Sequence, residues 1–278
     1  YAKDPRTQFM NWGNWTYASY DYAADARGFG WGFAGEWYQD NWVLRFGRMS
    51  GPKTPNGLPV DFALGKHYGD QVEIERGHML ADQPGKVRVL AWRNRAQLAS
   101  FSDATQWLQT HAGVQTTPQA LVDVRGGEKI KYGLGVNIEQ AIHPAVGFFL
   151  RAMKADGKTE TYAFTEADGS LSTGLVFKGG LWGRADDAVG VAFMHNTLSP
   201  ERRGFLAAGG MSYFIGDASA NSTASLAYKP EQILEAFYSF QMTRGTWLTA
   251  DYQRIQNPAY NADRGPVNVY AARFHAEF

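Results

Sequence analysis

The stretch KIKYGLGVNIE, residues 129–139, decides the fold. Laid out as an extended chain, Ile130, Tyr132, Leu134, Val136 and Ile138 fall on one side. Lys129, Lys131, Gly133, Gly135, Asn137 and Glu139 fall on the other. A period of 3.6 would mix the two sets, whereas a period of two separates them cleanly. The run matches the roughly 9–11 residues with which a tilted strand crosses a bilayer.

The same alternation recurs on both sides of this run. Phe29, Trp31, Phe33 and Trp37 alternate with Gly30, Gly32, Ala34 and Glu36, and Trp42, Leu44 and Phe46 with Val43, Arg45 and Gly47. Val72 and Ile74 alternate with Gln71, Glu73 and Glu75, and Leu171, Thr173, Leu175 and Phe177 with Ser172, Gly174, Val176 and Lys178. Val189, Val191 and Phe193 follow suit, as do Leu234, Ala236, Tyr238, Phe240 and Met242, and then Leu248, Ala250 and Tyr252. Residues 86–100 and 146–154 also read as strands. In the first of these Arg88 stands in one register and Arg93 and Arg95 in the other, which predicts a bulge or an early exit from the membrane. The C-terminal run puts Asn268, Tyr270, Ala272, Phe274, Ala276 and Phe278 on one face and Val269, Ala271, Arg273, His275 and Glu277 on the other.

Connection lengths alternate too. Short ones at 39–41, 81–85, 143–145, 179–187 and 243–245 separate long ones at 51–70, 101–128, 155–170, 197–230 and 257–266. Short turns on one side and long loops on the other mark an up-and-down transmembrane barrel, which a soluble sandwich has no reason to imitate. The reading is therefore all-β: an antiparallel up-and-down transmembrane β-barrel with 11–12 strands, residues 1–278 forming one unit. Within the long loops, Ser102–His111 and Pro200–Ala208 carry helix signals.

Composition agrees. The 278 residues include 27 Lys+Arg and 27 Asp+Glu, so gross attraction to nucleic acid is excluded. No cysteine is present, which removes disulfides, thiol catalysis and thiolate metal sites. Mean hydropathy is −0.38 and no apolar run approaches the ~18 residues of a spanning helix.

Motifs for catalysis are weak. Gly30–Gly35 matches G-x-G-x-x-G but sits inside the alternation, where no helix can open on a pyrophosphate. His67, His111 and His195 lie in or beside long loops, where an enzyme acting on membrane lipid would place a base. No cofactor or metal is implied. The residues that alternate with the apolar face carry charges of both signs and amides. Such a lining suits a neutral, hydroxyl-rich solute better than rings of one sign would. The lining candidates are Arg45, Glu73, Glu75, Lys131, Asn137, Glu235, Asp251, Gln253 and Arg273, with Arg93, Arg95, Asp61 and Lys66 nearer the loops. Phe149, Trp107 and Trp92 are candidates for stacking on a sugar ring. The opposing possibility is that these polar groups satisfy one another and plug the barrel, leaving an adhesive or structural role.

Several longer stretches carry a resemblance. RGFGWGFAGEWYQDNWVLRFGRMSGPKTPNGLPVD (27–61), HYGDQVEIER (67–76) and GKVRVLAWRNRAQLASF (85–101) look like the carbohydrate-selective porin family, OprB-like. So do YAFTEADGSLSTGL (162–175), LAAGGMSYFIGD (206–217), residues 230–267 and the terminal ARFHAEF. The resemblance implies a porin of the bacterial outer membrane, with about 16 strands in the complete family barrel. It also implies passive diffusion of monosaccharides such as glucose and related polyols past a charged constriction. The partners implied are sugar solutes, outer-membrane lipids and lipopolysaccharide, with self-association left open. Eleven strands from Arg27 onward give the wrong parity for a closed bacterial barrel. The expectation is either a twelfth strand at Trp12–Tyr22 or N-terminal strands outside this chain.

Overall fold

The computed structural model describes residues 1–111, 119–217 and 226–278. Among these, eleven strands form one antiparallel sheet in which spatial order follows chain order. The first four are β1 (Gly32–Gln39), β2 (Trp42–Ser50), β3 (Tyr68–Leu80) and β4 (Gln83–Ala96). Next come β5 (Lys129–His143), β6 (Val146–Ala155), β7 (Gly169–Lys178) and β8 (Ala188–Thr197). A small hairpin, β9 (Met211–Ser212) and β10 (Gly216–Asp217), stands apart from the sheet. The series ends with β11 (Glu231–Thr243), β12 (Thr246–Gln256) and β13 (Val267–Ala276). The sheet is open, with β1 and β13 as its two edges. Short helices lie between strands: α1 (Trp12–Trp15), α2 (Phe101–Thr110), α3 (Gln119–Asp123) and α4 (Pro200–Ala207).

The short connections are tight because their backbones accept left-handed residues. Asp40 has φ 51°, and Ala81 and Asp82 have φ 49° and 59°, the geometry that lets a two-residue hairpin follow the strand twist. The sequence of β4 predicts a bulge or early exit, and neither is present. β4 pairs with β3 and β5 in one unbroken register, so Arg88 faces inward and Arg93 outward. Register shifts occur instead beside short turns, at Ala141/His143 and Gln241/Thr243. The expected strand at Trp12–Tyr22 is not one. Asn11 caps the single helical turn α1, and the rest of the segment is irregular. The helix signals are each displaced slightly: Ser100, not Ser102, caps α2, and Ser199 caps α4 ahead of Pro200.

The apolar stripe of the strands faces outward and is uncovered. Phe33, Trp37, Ile74, Tyr132, Leu134, Tyr270 and Phe274 are all exposed. An apolar surface of this extent belongs against lipid. The buried apolar groups lie elsewhere. One cluster sits under the long loops, where Phe101 of α2 packs with Phe205 and Leu206 of α4, Leu198, Ile215 and Tyr260. Two others lie between the inner face of the sheet and residues 1–25, which form a strap across it. Phe9 packs on Phe149, Phe237, Val176 and Ala192, and Tyr17 on Leu90, Trp92 and Met153.

Candidate functional site

The strap runs inside the sheet from the short-turn end toward the long loops. The Tyr1 amino nitrogen lies 2.8 Å from Glu139, near the β5–β6 turn. Phe9 meets Phe237 edge-on at 4.9 Å between ring centres. Farther along, Ser19 Oγ donates to Met153 O (3.1 Å), and Lys131 donates to the Asp21 carboxylate at 2.8 Å. The chain then turns at Asp25, whose carboxylate accepts from the backbones of Arg27 and Phe29, and enters β1.

This strap determines which inward residues remain open. Glu235 is fully buried and accepts from Met10 N (2.5 Å), Asn11 N (2.9 Å) and Asn14 Nδ2 (2.5 Å). Gln253 accepts from Asn11 Nδ2 at 3.0 Å and donates to Asp251 at 3.0 Å. Arg273 donates to the carbonyls of Pro5 (2.7 Å) and Gln8 (2.9 Å). Lys131, Glu235, Asp251, Gln253 and Arg273 thus face inward as the alternation predicts, but Lys131, Glu235, Gln253 and Arg273 hold the strap and Asp251 accepts from Gln253. Asn137 also faces inward and is buried. Phe149 and Trp92 lie beneath Phe9 and Tyr20, while Trp107 stacks on His111 in α2, away from the wall. None of the three is bare. A bulky aromatic at an inward position, such as Phe237, was the available signal that an apolar segment lies against the wall.

The open part of the inner face is on β1–β3, and a row of inward charges runs on from it across β4–β6. Cross-strand neighbours share a face, and the register sets Glu36 opposite Arg45 and Arg45 opposite Glu73. It also sets Glu75 opposite Arg88, Arg88 opposite Asn137, and Asn137 opposite Arg151. Arg45 reaches Glu36 (3.0 Å), Glu73 (2.9 Å) and Glu75 (3.0 Å). Glu75 also accepts from Lys86 (2.9 Å) and Arg88 (2.6 Å), and Glu139 lies 3.4 Å from Arg88 and 3.8 Å from Arg151. The result is a ladder of Glu36, Glu73, Glu75 and Glu139 interleaved with Arg45, Lys86, Arg88 and Arg151. Each charge has an opposite neighbour, so neither sign accumulates. Glu36, Lys86, Arg88 and Glu139 were absent from the candidates, although each occupies the inward phase.

Two adjoining cavities lie between this wall and the strap. One, of about 320 Å³, is bordered by Tyr17, Tyr20, Glu36, Arg45, Gln71 and Glu73. The other, of about 260 Å³, is bordered by Tyr20, Tyr22, Met49, Gln71 and Asn94 and lies nearer the long loops. They share Tyr20 and Gln71, whose hydroxyl and amide are hydrogen-bonded. Tyrosine rings therefore form one side and hydrogen-bonding groups the other.

The four loop-side candidates separate. Asp61 lies 2.5 Å from His67 Nδ1 and accepts from Ala63 N at 2.7 Å, and these contacts hold its carboxyl below the ordinary range. Lys66 is exposed in the same loop. Arg95, in the outward phase opposite Tyr68 and Ile130, donates to Gly65 O at 3.2 Å and does not face the interior. Arg93 does not face the interior: the unbroken register of β4 puts it on the outer wall opposite Asp70. Of the three histidines, His67 is held by Asp61, His111 stacks on Trp107, and His195 lies 3.4 Å from Gln232 Nε2.

Among solved structures, OprB of Pseudomonas putida superposes with a TM-score of 0.66 at 16% identity, over 90% of this chain and 59% of that one. The outer-membrane channel DcaP of Acinetobacter baumannii gives a TM-score of 0.46 at 10% identity, over 87% of this chain and 59% of that one. OpdK, an outer-membrane protein of Pseudomonas aeruginosa, gives 0.45 at 10% identity, over 87% and 68%. This chain thus spans about three fifths of the length of the OprB structure. No curated protein matches it in sequence. The likeness to OprB shows the fold, that of a porin's β-barrel wall, as the outward apolar face requires, and the family match that follows gives the place in the bacterial outer membrane. The sequence profile of the carbohydrate-selective porins matches residues 1–278, and the chain belongs to that family, OprB.

Proposed function

We propose that this chain forms the wall of a passive diffusion channel for carbohydrates, residues 1–278 acting as one unit and monosaccharides such as glucose and related polyols being the solutes. The observation that carries the reading is the set of paired charges Glu36, Arg45 and Glu73 on β1–β3 facing Tyr17 and Tyr20 across one cavity, with Tyr22, Gln71 and Asn94 around the adjoining one. A sugar has hydroxyls on its rim and C–H groups on its faces. Carboxylates and guanidinium groups exchange hydrogen bonds with the former, and aromatic rings pack against the latter. Because the signs balance, an ion gains little from the ladder, whereas a neutral polyol loses nothing to it. Arg45, Glu73 and Glu75 are the central lining groups, with Asn137 deeper. Lys131, Glu235, Gln253 and Arg273 act indirectly by holding the strap, with Asp251 behind Gln253, and Asp61 and Lys66 belong to the loop-side entrance.

The strap itself favours a second reading, a plugged wall with a structural role, because it covers the inner face of β5–β8 and β11–β13. Planar-bilayer recording and liposome swelling separate the two. The channel reading expects conductance with weak ion selectivity, current block by glucose, and swelling that falls with sugar size. Folded protein that conducts nothing supports the plug, and strong selectivity untouched by glucose counts against the carbohydrate path.

A further inference from the structure

The outer wall is not uniformly apolar. On the lipid side the register lines up Arg48, Asp70, Arg93 and Tyr132 across β2–β5. The adjacent row, one step toward the short turns, is Phe46, Val72, Ala91, Leu134 and Lys154. Arg48 grips Asp70 through Nε (2.6 Å) and Nη2 (2.9 Å), and Arg93 does so through Nε (2.9 Å) and Nη2 (2.8 Å). The Arg48 guanidinium also lies over the Tyr68 ring, 4.0 Å from its centre.

The charge on this face is one-sided. Along the main sheet, the outward phase of the described strands carries Arg48, Arg76, Arg93, Arg95, Lys154 and Arg254, and Asp70 is its sole carboxylate. Asp70 is already shared by two arginines. Lys154 has no hydrogen-bond or ion-pair partner among the described residues. Charge facing lipid is costly at mid-depth and tolerated near the interface, and Arg48, Arg93 and Lys154 all lie toward the long-loop end of their strands.

Beside these cations the wall is hollow. Ala91 stands low between Phe33, Phe46, Leu134 and Tyr132. There lies a trough of about 1030 Å³ that ends at Arg48, Asp70, Arg93, Lys154 and Asp156. Its volume is at the upper end of the ~300–1,000 Å³ usual for ligand sites.

We propose that this trough binds lipopolysaccharide, with a glycolipid phosphate on Arg93 and Lys154, Arg48 behind it, and acyl chains along Phe33, Phe46, Val72 and Leu134. Long loops mark the extracellular side of an outer-membrane barrel, so the cations lie in the outer leaflet, where the phosphorylated glycolipid is. A phosphomonoester carries about −1.5 to −2 at neutral pH and accepts from several donors, which suits a site where two arginines and a lysine outnumber Asp70 and Asp156. A second copy of the chain fits less well, because the outward positions of its own described strands carry the same cationic surplus. The site lies on the opposite face of the wall from the cavities, and its occupancy is independent of whether sugars pass.

The test is native mass spectrometry of purified, folded protein in neutral detergent, titrated with bisphosphorylated lipid A. We expect affinity at least about tenfold above that for phosphatase-treated lipid A. This preference should be lost in Lys154→Gln/Arg93→Gln and kept in Arg254→Gln, a cation on the same face in β12. Equal binding of the dephosphorylated lipid, or an unchanged preference in the double variant, overturns the proposal. Equal competition by phosphatidylglycerol overturns the assignment to lipopolysaccharide, and a disulfide-linked dimer of Ala91→Cys assigns the trough to a second copy. Should the double variant not fold, judged by heat-modifiable migration, Lys154→Gln alone decides, since that side chain holds nothing in place.

Discussion

Lys131 donates to Asp21 across 2.8 Å with both side chains fully shielded from solvent. The Asp21 carboxylate also accepts from the backbones of Tyr162, Ala163 and Phe164. One carboxylate therefore fastens the strap to β5 and to the β6–β7 loop together. Removing one partner of a buried ion pair strands the other, at a cost of about 3–5 kcal/mol. Lys131→Met should detach the upper strap. Urea-induced loss of heat-modifiable migration should move to lower denaturant, and single-channel conductance should rise. Wild-type conductance and midpoint in this variant would show that the pair bears no load.

Phe9 tests the lower strap. It fills the space between Phe149 and Phe237, and a Cβ added at Gly190 would lie 2.7 Å from its ring. Truncation of so enclosed an aromatic costs about 3–5 kcal/mol. Phe9→Ala should therefore expose residues 1–15 to limited proteolysis while β1–β13 stay protected. An uncut strap would contradict this packing.

Arg45 is the electrostatic centre of the ladder, within 3.0 Å of Glu36, Glu73 and Glu75. Arg45→Gln leaves those three carboxylates in excess. The expected result is a shift of reversal potential toward cation selectivity. The glucose concentration for half-block should rise roughly tenfold, which corresponds to about 1.4 kcal/mol. Unchanged selectivity would place the conducting path away from β1–β3.

The loop-side network should set the acid limit. Burial pushes the Asp168 carboxyl up, but the Arg202 guanidinium, at 2.8 Å and 3.0 Å, outweighs it and holds the pKa below the usual range. A carboxyl depressed on folding adds stability above its unfolded value near ~3.9, and that stability is lost as pH falls through the folded value. Hydrogen exchange in residues 156–168 and 199–207, corrected for the intrinsic pH dependence of amide exchange, should thus be steady from neutral pH down to about 4 and accelerate below it. Acceleration already near pH 6 would point to another group.

Strand existence and facing could be read from the sequence wherever alternation ran uninterrupted, as in Lys129–Glu139, because period two fixes which side chains share a face. β4 defeated that reading. Its arginines fall in both phases, and the reason Arg93 tolerates the outer wall is Asp70, a partner supplied by another strand. The strap was opaque for a related cause. Tyr1–Asp25 has no period, and its residues are intelligible only beside Glu235, Arg273 and Lys131, far along the chain. The ladder was half visible: Arg45, Glu73 and Glu75 stood out, while Glu36, Lys86, Arg88 and Glu139 needed the cross-strand register to join them.

The strap also imposes an order on assembly. Asp21 finds Lys131 across 110 residues and Pro5 finds Arg273 across 268. Loop closure on that scale is slow, and none of these bonds can form before its strand exists. This segment, which precedes every strand of the sheet, is thus among the last to settle. It must be laid against β5–β13 while the inner face is still accessible, before β1, which follows it directly, takes its place beside β2. Pulse-labelled hydrogen exchange should find β11–β13 protected earlier than Met10–Asn14, and the reverse sequence would refute this order.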